Sequence, residues 1–205
     1  MRVRMIDVEL AIGLEWDINV FGQTHVEKAV DAAIKVAENS AVADSPVPIS
    51  VSIKLSDNKE VHALNRQWRK KDKPTNILSF PMLDDDELDA LLTPLPFRGG
   101  VGGGGGWDSA TSSDRPHPNP SPEEEGLICP EIMLGDIILA HGVCAAEAAK
   151  KGITLADHAT HLVIHGMLHL LGYDHIDNDD AEQMEALEVK ALASMGLHNP
   201  YDGDI

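Results

Sequence analysis

Residues 165 to 175 read "HGMLHLLGYDH" and place three histidines at intervals of four and six. On a helix, position i+4 lies one turn above i on the same face, so His165 and His169 can reach one ion. Gly172 lets the chain break direction at low cost, and the turn returns His175 to the other two. Three imidazoles with one open coordination position suit a catalytic zinc ion, Zn2+, whose bound water is acidified toward neutral pH. The spacing H-x3-H-x2-G-x2-H is that of the metzincin proteases. There a glutamate follows the first histidine and acts as base; here the residue is Gly166, which has no side chain to move a proton. A peptidase built this way lacks its usual proton acceptor and must still protonate a poor amine leaving group. Phosphodiester cleavage has other needs. An activated water or the 2′-OH of RNA attacks, and a cation neutralises charge on the phosphorane-like transition state.

Such cations are concentrated in one place. Residues 66 to 73, "RQWRKKDK", hold Arg66, Arg69, Lys70, Lys71 and Lys73 against Asp72, five of the 16 basic residues in eight positions. The formal net charge of -18 argues against a general polyanion binder, and no DNA partner is expected. A local basic patch on an acidic body can still steer a phosphate to one place. Arg69 has two readings from spacing: a phosphate contact, or a local role pairing with Asp72 or closing a helix end. His158 and His161 precede His165 by seven and four residues and share roughly its face. Ligation and hydrogen-bonded support of a ligand or a nearby acid are both open to them. Asp174 reads as a turn carboxylate or a proton acceptor. Trp68 reads as core, one turn after Leu64.

The elements that must hold these residues alternate along the chain. "VRMIDVELAI", "VPISVSIKLS", "TNILSFPM" and "EIMLGDIILA" read as strands. "THVEKAVDAAIKVAEN" has helical period with Thr24 as its expected cap. "DNKEVHALNRQWR" reads as a helix capped near Ser56 or Asp57, and Pro74 argues against its continuing past Lys73. Three helices follow, over about 142–150, from Thr154 to near Gly172, and over about 178–195. The expected fold is α/β (α+β): a single compact domain with a mixed sheet of about four strands packed with helices.

A chain of 205 residues with 43% apolar content suits that size of core. No apolar run approaches the roughly 20 residues of a membrane helix, and no membrane association or signal peptide is expected. Cys129 and Cys144 form no CxxC, which points to a reducing, cytoplasmic setting.

One segment stands apart. Residues 84–127 are rich in Gly, Pro, Ser and acids, with no sustained apolar period. Such a stretch cannot bury enough surface to offset its ordering entropy, so it is expected to be a disordered insertion. The catalytic domain then comprises residues 1–83 and 128–205. No GxxxxGK[ST] is present, so the glycines here are no phosphate loop.

Two long motifs carry a resemblance. "HGMLHLLGYDH" at 165–175 and "NRQWRKKDKPTNILSFP" at 65–81 are similar to the two signature stretches of the YbeY family, with "LGDIILA" at 134–140 as a third, weaker match. The likeness covers about 20–84 and 128–195. It implies a metal-dependent endoribonuclease specific for single-stranded RNA, with one zinc ion on His165, His169 and His175. It implies that Arg69 acts at an RNA phosphate. It further implies rRNA maturation at the 3′ end of 16S rRNA, ribosome quality control, and the small ribosomal subunit and its assembly GTPase as partners. The alternatives from other classes are a metzincin-like metallopeptidase and a non-catalytic zinc-containing assembly factor.

The insertion is the departure from that family pattern. Back-translated with ordinary codons, the complement of "PHPNPSPEEEGL" encodes a peptide like "QPLLFRRGVGVR", close to "TPLPFRGGVGGG" at 93–104. The hypothesis is an inverted DNA repeat inserted in frame. The gene sequence is expected to show two arms that pair over these codons; arms that do not pair end the idea.

Overall fold

The β-branched stretches pair edge to edge before anything else can be covered. The computed structural model describes residues 6–37, 42, 48–83, 87, 132–175 and 177–202. Apart from Glu87, the expected insertion lies outside the described residues, and so does the expectation that it is disordered. The sheet contains β1 (Ile6–Ile12), β2 (Ile49–Ser56), β3 (Ile77–Pro81) and β4 (Ile132–Ala140) in the order β1-β2-β4-β3. β1, β2 and β4 are parallel, whereas β3 runs antiparallel to β4 at one edge. Parallel neighbours need crossovers, and the helices supply them.

Strand alternation sorts the apolar residues onto two faces. On one face Val51, Ile53, Leu55, Ile77, Ile137 and Leu139 share a core with α1 (Gln23–Val36) and α4 (Leu155–Leu170), onto which α5 (Asn178–Ser194) packs. On the other, Leu78, Ile138 and Ala140 are covered by Val61 and Leu64 of α2 (Asn58–Arg69) and Val143 of α3 (His141–Lys151). This is the four-stranded mixed α/β architecture expected from the sequence. Among the described residues, no helix is long and apolar enough to cross a membrane.

The caps follow side-chain chemistry. Asp57 accepts the Glu60 amide at 2.8 Å and opens α2; Thr154 accepts the Asp157 amide at 3.0 Å and opens α4. Thr24 is not a cap. A tight turn in which Val20 and Phe21 both donate to the Asp17 carbonyl delivers the chain to Gly22, and α1 starts at Gln23.

Helix α4 is the pivot of the fold. It packs against α1, α3, α5, β3 and β4. From His158 to Leu170 only His161, His165 and His169 escape full burial, a stripe of imidazoles one turn apart.

β4 carries one more residue than β2 between their Met133–Ser50 and Asp136–Ser52 pairs, a bulge at Leu134–Gly135. Gly135 has φ +146°, and a Cβ there would stand 2.3 Å from the Phe80 carbonyl oxygen and 2.9 Å from Leu170 Cδ2. The bulge therefore lets β3 and the end of α4 close onto β4. Gly135→Ala is expected to cost about 2 kcal/mol or more, since positive-φ strain and overpacking act together. Thermal or chemical unfolding measures it, and an unchanged midpoint would show that β3 does not need this close approach.

Candidate functional site

The imidazole stripe ends where α4 ends. Gly172 turns at φ +87°, its amide donating to the His169 carbonyl, while the Tyr173 amide donates back to the Leu168 carbonyl at 3.0 Å. The reversed chain places His175 beside the helix. His165, His169 and His175 each present one ring nitrogen, and these nitrogens all lie within 4.8 Å of one another. The ring centroids are 4.6, 5.0 and 5.6 Å apart.

The outward nitrogens determine what the inward ones can do. His165 Nδ1–H donates to Glu188 Oε1 at 2.7 Å, and His169 Nδ1–H donates to the Tyr173 carbonyl at 3.0 Å. A carbonyl and an ionised carboxylate accept only, so both rings are fixed as Nδ1–H tautomers. Their Nε2 atoms then carry lone pairs, and these face each other at 3.2 Å. Two acceptors at that distance repel unless a cation lies between them. A tetrahedral ion with nitrogen bonds of about 2.0–2.1 Å needs ligand separations of about 3.3 Å. The donor set thus fits a small divalent cation held by these three residues. Burial, aided by His165 and His175, lowers the His169 pKa to about 4, so the ring is a neutral lone-pair donor at physiological pH.

Glu188 is the residue that sequence reading missed. It lies on α5, 1% exposed, in a face formed by Met184, Ala191 and Leu192. Its carboxylate accepts from three donors: His165 Nδ1–H, His161 Nε2–H at 2.5 Å and the Tyr201 hydroxyl at 2.5 Å. Burial raises its pKa, but the hydrogen bonds from His161 and His165 outweigh that and hold it at about 2. Burial and Glu188 together raise the Tyr201 pKa. The available signal was an acid four residues from both Met184 and Leu192, on the apolar side of a helix.

His161 therefore supports His165 through a shared carboxylate. His158 serves another wall: its Nε2–H donates to Glu147 Oε2 at 2.8 Å, and Asn76 Nδ2 donates to the same oxygen at 3.0 Å. Asn76 Oδ1 in turn accepts the Ile77 amide at 2.8 Å, which anchors the start of β3. Asp174 accepts the His175 amide at 2.7 Å, and a carboxylate oxygen lies 4.0 Å from His169 Nδ1.

A cleft of about 580 Å³ runs between these elements. His165, His169 and His175 line it together with Thr75, Asn76, Ser79 and Arg69. Asp72, one partner considered for Arg69, pairs instead with His62 at 2.8 Å. Gly166 faces inward. A Cβ there would meet Ile77 Cδ1 and Ile137 Cδ1 at 3.0 Å and Ser79 Oγ at 3.1 Å, so any side chain at this position would press tightly on the sheet. Trp68 corrects the sequence reading: it is 63% exposed, edge-on to Phe80 at 6.2 Å. Among the described residues, the cluster beneath α2 has four fully buried members, Val61, Leu78, Ile138 and Ala140, none of them in the last turn of the helix.

Comparison with known proteins places the chain in a family. The model described as "Endoribonuclease YbeY" matches residues 14–196. A protein named endoribonuclease YbeY from Rhizorhabdus wittichii is 43% identical over 197 residues, covering 96% of this chain and 97% of that protein. One of the same name from Sphingopyxis alaskensis is 42% identical, covering 96% and 98%. A solution structure from Thermotoga maritima aligns at 17% identity with a TM-score of 0.47, covering 93% of this chain and 92% of that one. The chain belongs to the YbeY endoribonuclease family.

The carboxylate of Glu188 has a measurable weight. Glu188→Leu strands three donors and is expected to cost about 3 kcal/mol or more in chemical denaturation. In the metal-free wild type, long-range 1H–15N spectra at neutral pH are expected to show His165 and His169 as Nδ1–H tautomers. A loss below about 1 kcal/mol, or Nε2–H tautomers, would contradict this network.

Proposed function

We propose that the chain is a zinc-dependent endoribonuclease that cuts single-stranded RNA. The observation that carries the reading is the cleft itself, which is lined by three convergent imidazoles and by Arg69. Family membership supports the reaction class, and the donor set supports the ion: three imidazoles suit zinc with an open position. When bound, zinc supplies Lewis acidity toward a water or a phosphate oxygen.

The chain's own residues do the rest. His165, His169 and His175 hold the ion, with Glu188 and the Tyr173 carbonyl fixing two of the rings. Arg69 binds non-bridging phosphate oxygens and neutralises charge that grows on the pentacoordinate phosphorus. Ser79 and Thr75 line the same cleft. Gly166 has no side chain to act as the base of a peptidase, and a Cβ there would press on Ile77 and Ile137, which weighs against the metallopeptidase alternative.

The cellular role we infer is rRNA maturation, at the 3′ end of 16S rRNA, together with ribosome quality control in the cytoplasm. The partners are the small ribosomal subunit and its assembly GTPase. Resemblance to the family supports these assignments.

Arg69→Glu is expected to reduce cleavage of single-stranded RNA by about 10²- to 10³-fold while zinc content stays at one per chain. Metal analysis and a gel assay read the two effects separately. Chelation is expected to abolish cleavage, and added zinc to restore it. Full activity in Arg69→Glu or in the chelated protein would overturn the mechanism. Cleavage of unfolded protein but not RNA would restore the peptidase reading.

A further inference from the structure

We propose that Trp68 is a stacking platform for an unpaired base of the bound RNA, and one source of the preference for single strands. The inference deepens the function proposed above and rests on it.

The chain has eight aromatic residues, three Trp, three Phe and two Tyr. Trp16 and Phe21 are buried in the core, whereas Trp68 keeps 63% of its surface in water. A lone exposed apolar side chain needs no explanation. Three features set this one apart. First, Phe80 meets it edge-on, with centroids 6.2 Å apart and ring planes at 67°, a contact that braces the indole. Second, Trp68 adjoins Arg69, which lines the cleft, and Phe80 lies between Ser79 and Pro81 of the cleft wall. The indole therefore stands across the edge strand β3 from the histidines.

Third, the basic loop beside it is built into the fold. Lys70 turns at φ +58°, and the Lys71 amide donates to the Asn65 carbonyl at 3.3 Å. Buried Asn65 donates through Nδ2 to the Lys73 carbonyl at 2.7 Å, and His62 holds Asp72. Lys70, Lys71 and Lys73 are thereby folded back beside the last turn of α2, on a chain whose net charge is -18. A backbone-anchored basic loop next to a braced aromatic residue matches a phosphate backbone with a base turned out from it. Bases in a duplex are already stacked on one another and cannot use the platform without unpairing.

The test uses the full chain loaded with zinc, a labelled single-stranded RNA and a hairpin containing the same sequence. Trp68→Ala is expected to weaken single-strand binding by about 5- to 150-fold and to leave hairpin binding nearly unchanged. The loss in cleavage should fall on KM, with kcat kept. Trp68→Phe, which retains a ring, should recover most of the affinity. An abasic nucleotide walked along the RNA should find one position that weakens the wild type but not Trp68→Ala. Equal loss on both RNA forms, or no loss in a variant that still cuts RNA, overturns this inference alone. A wild type that neither binds nor cuts either RNA overturns the endoribonuclease reading as well.

Discussion

Two deprotonated ring nitrogens face each other at 3.2 Å at the end of α4, and the rest of the site is arranged around that unfavourable contact. Left alone, one imidazole would shift its proton to the other nitrogen and make an ordinary hydrogen bond. Glu188 and the Tyr173 carbonyl prevent this by occupying the Nδ1 protons. Burial then keeps His169 from relieving the repulsion by protonation. The protein therefore holds ring nitrogens in a convergent geometry that suits a cation, which is preorganisation in a literal sense.

That arrangement requires α4 to lie deep in the molecule while its histidine stripe stays open. The sheet makes this possible through glycine at two contacts. At Gly135 the backbone of β3 and the side chain of Leu170 come closer than any side chain would permit. At Gly166 the helix rests directly on Ile77 and Ile137. The same close packing that seats the helix leaves little room at the position where a related protease motif keeps its base. Glycine at this position of the motif suits that close packing. Arg69, which lines the same cleft, is the last residue of α2, and α2 packs on β3 at the edge of the sheet.

Electrostatically the molecule is divided. An acidic chain keeps its densest cluster of cations in a loop tied down by Asn65 and by the His62–Asp72 pair. Individually such exposed pairs contribute little to stability. Their effect is geometric: they hold the backbone of the basic loop against the end of α2, next in the chain to Arg69 of the cleft.

Much of this was legible in the residues themselves. The strands at 49–56 and 132–140, the helix over 155–170 and the caps at Asp57 and Thr154 follow from alternation, period and side-chain chemistry within a few positions. The meeting of His165, His169 and His175 was equally legible, because a helical turn and one glycine bring them together locally. Glu188, the exposure of Trp68 and the meaning of Gly166 were not legible. Each depends on which surface a distant element presents: α5 against α4, the sheet edge under α2, β3 and β4 under α4. The sequence alone determined the local elements and the motif, since these are governed by short-range backbone and side-chain preferences. Only the tertiary structure decided the tautomers, the tight packing at Gly166 and the cleft that Arg69 joins. Those are consequences of long-range packing, where a residue's environment is supplied by partners far away in the chain.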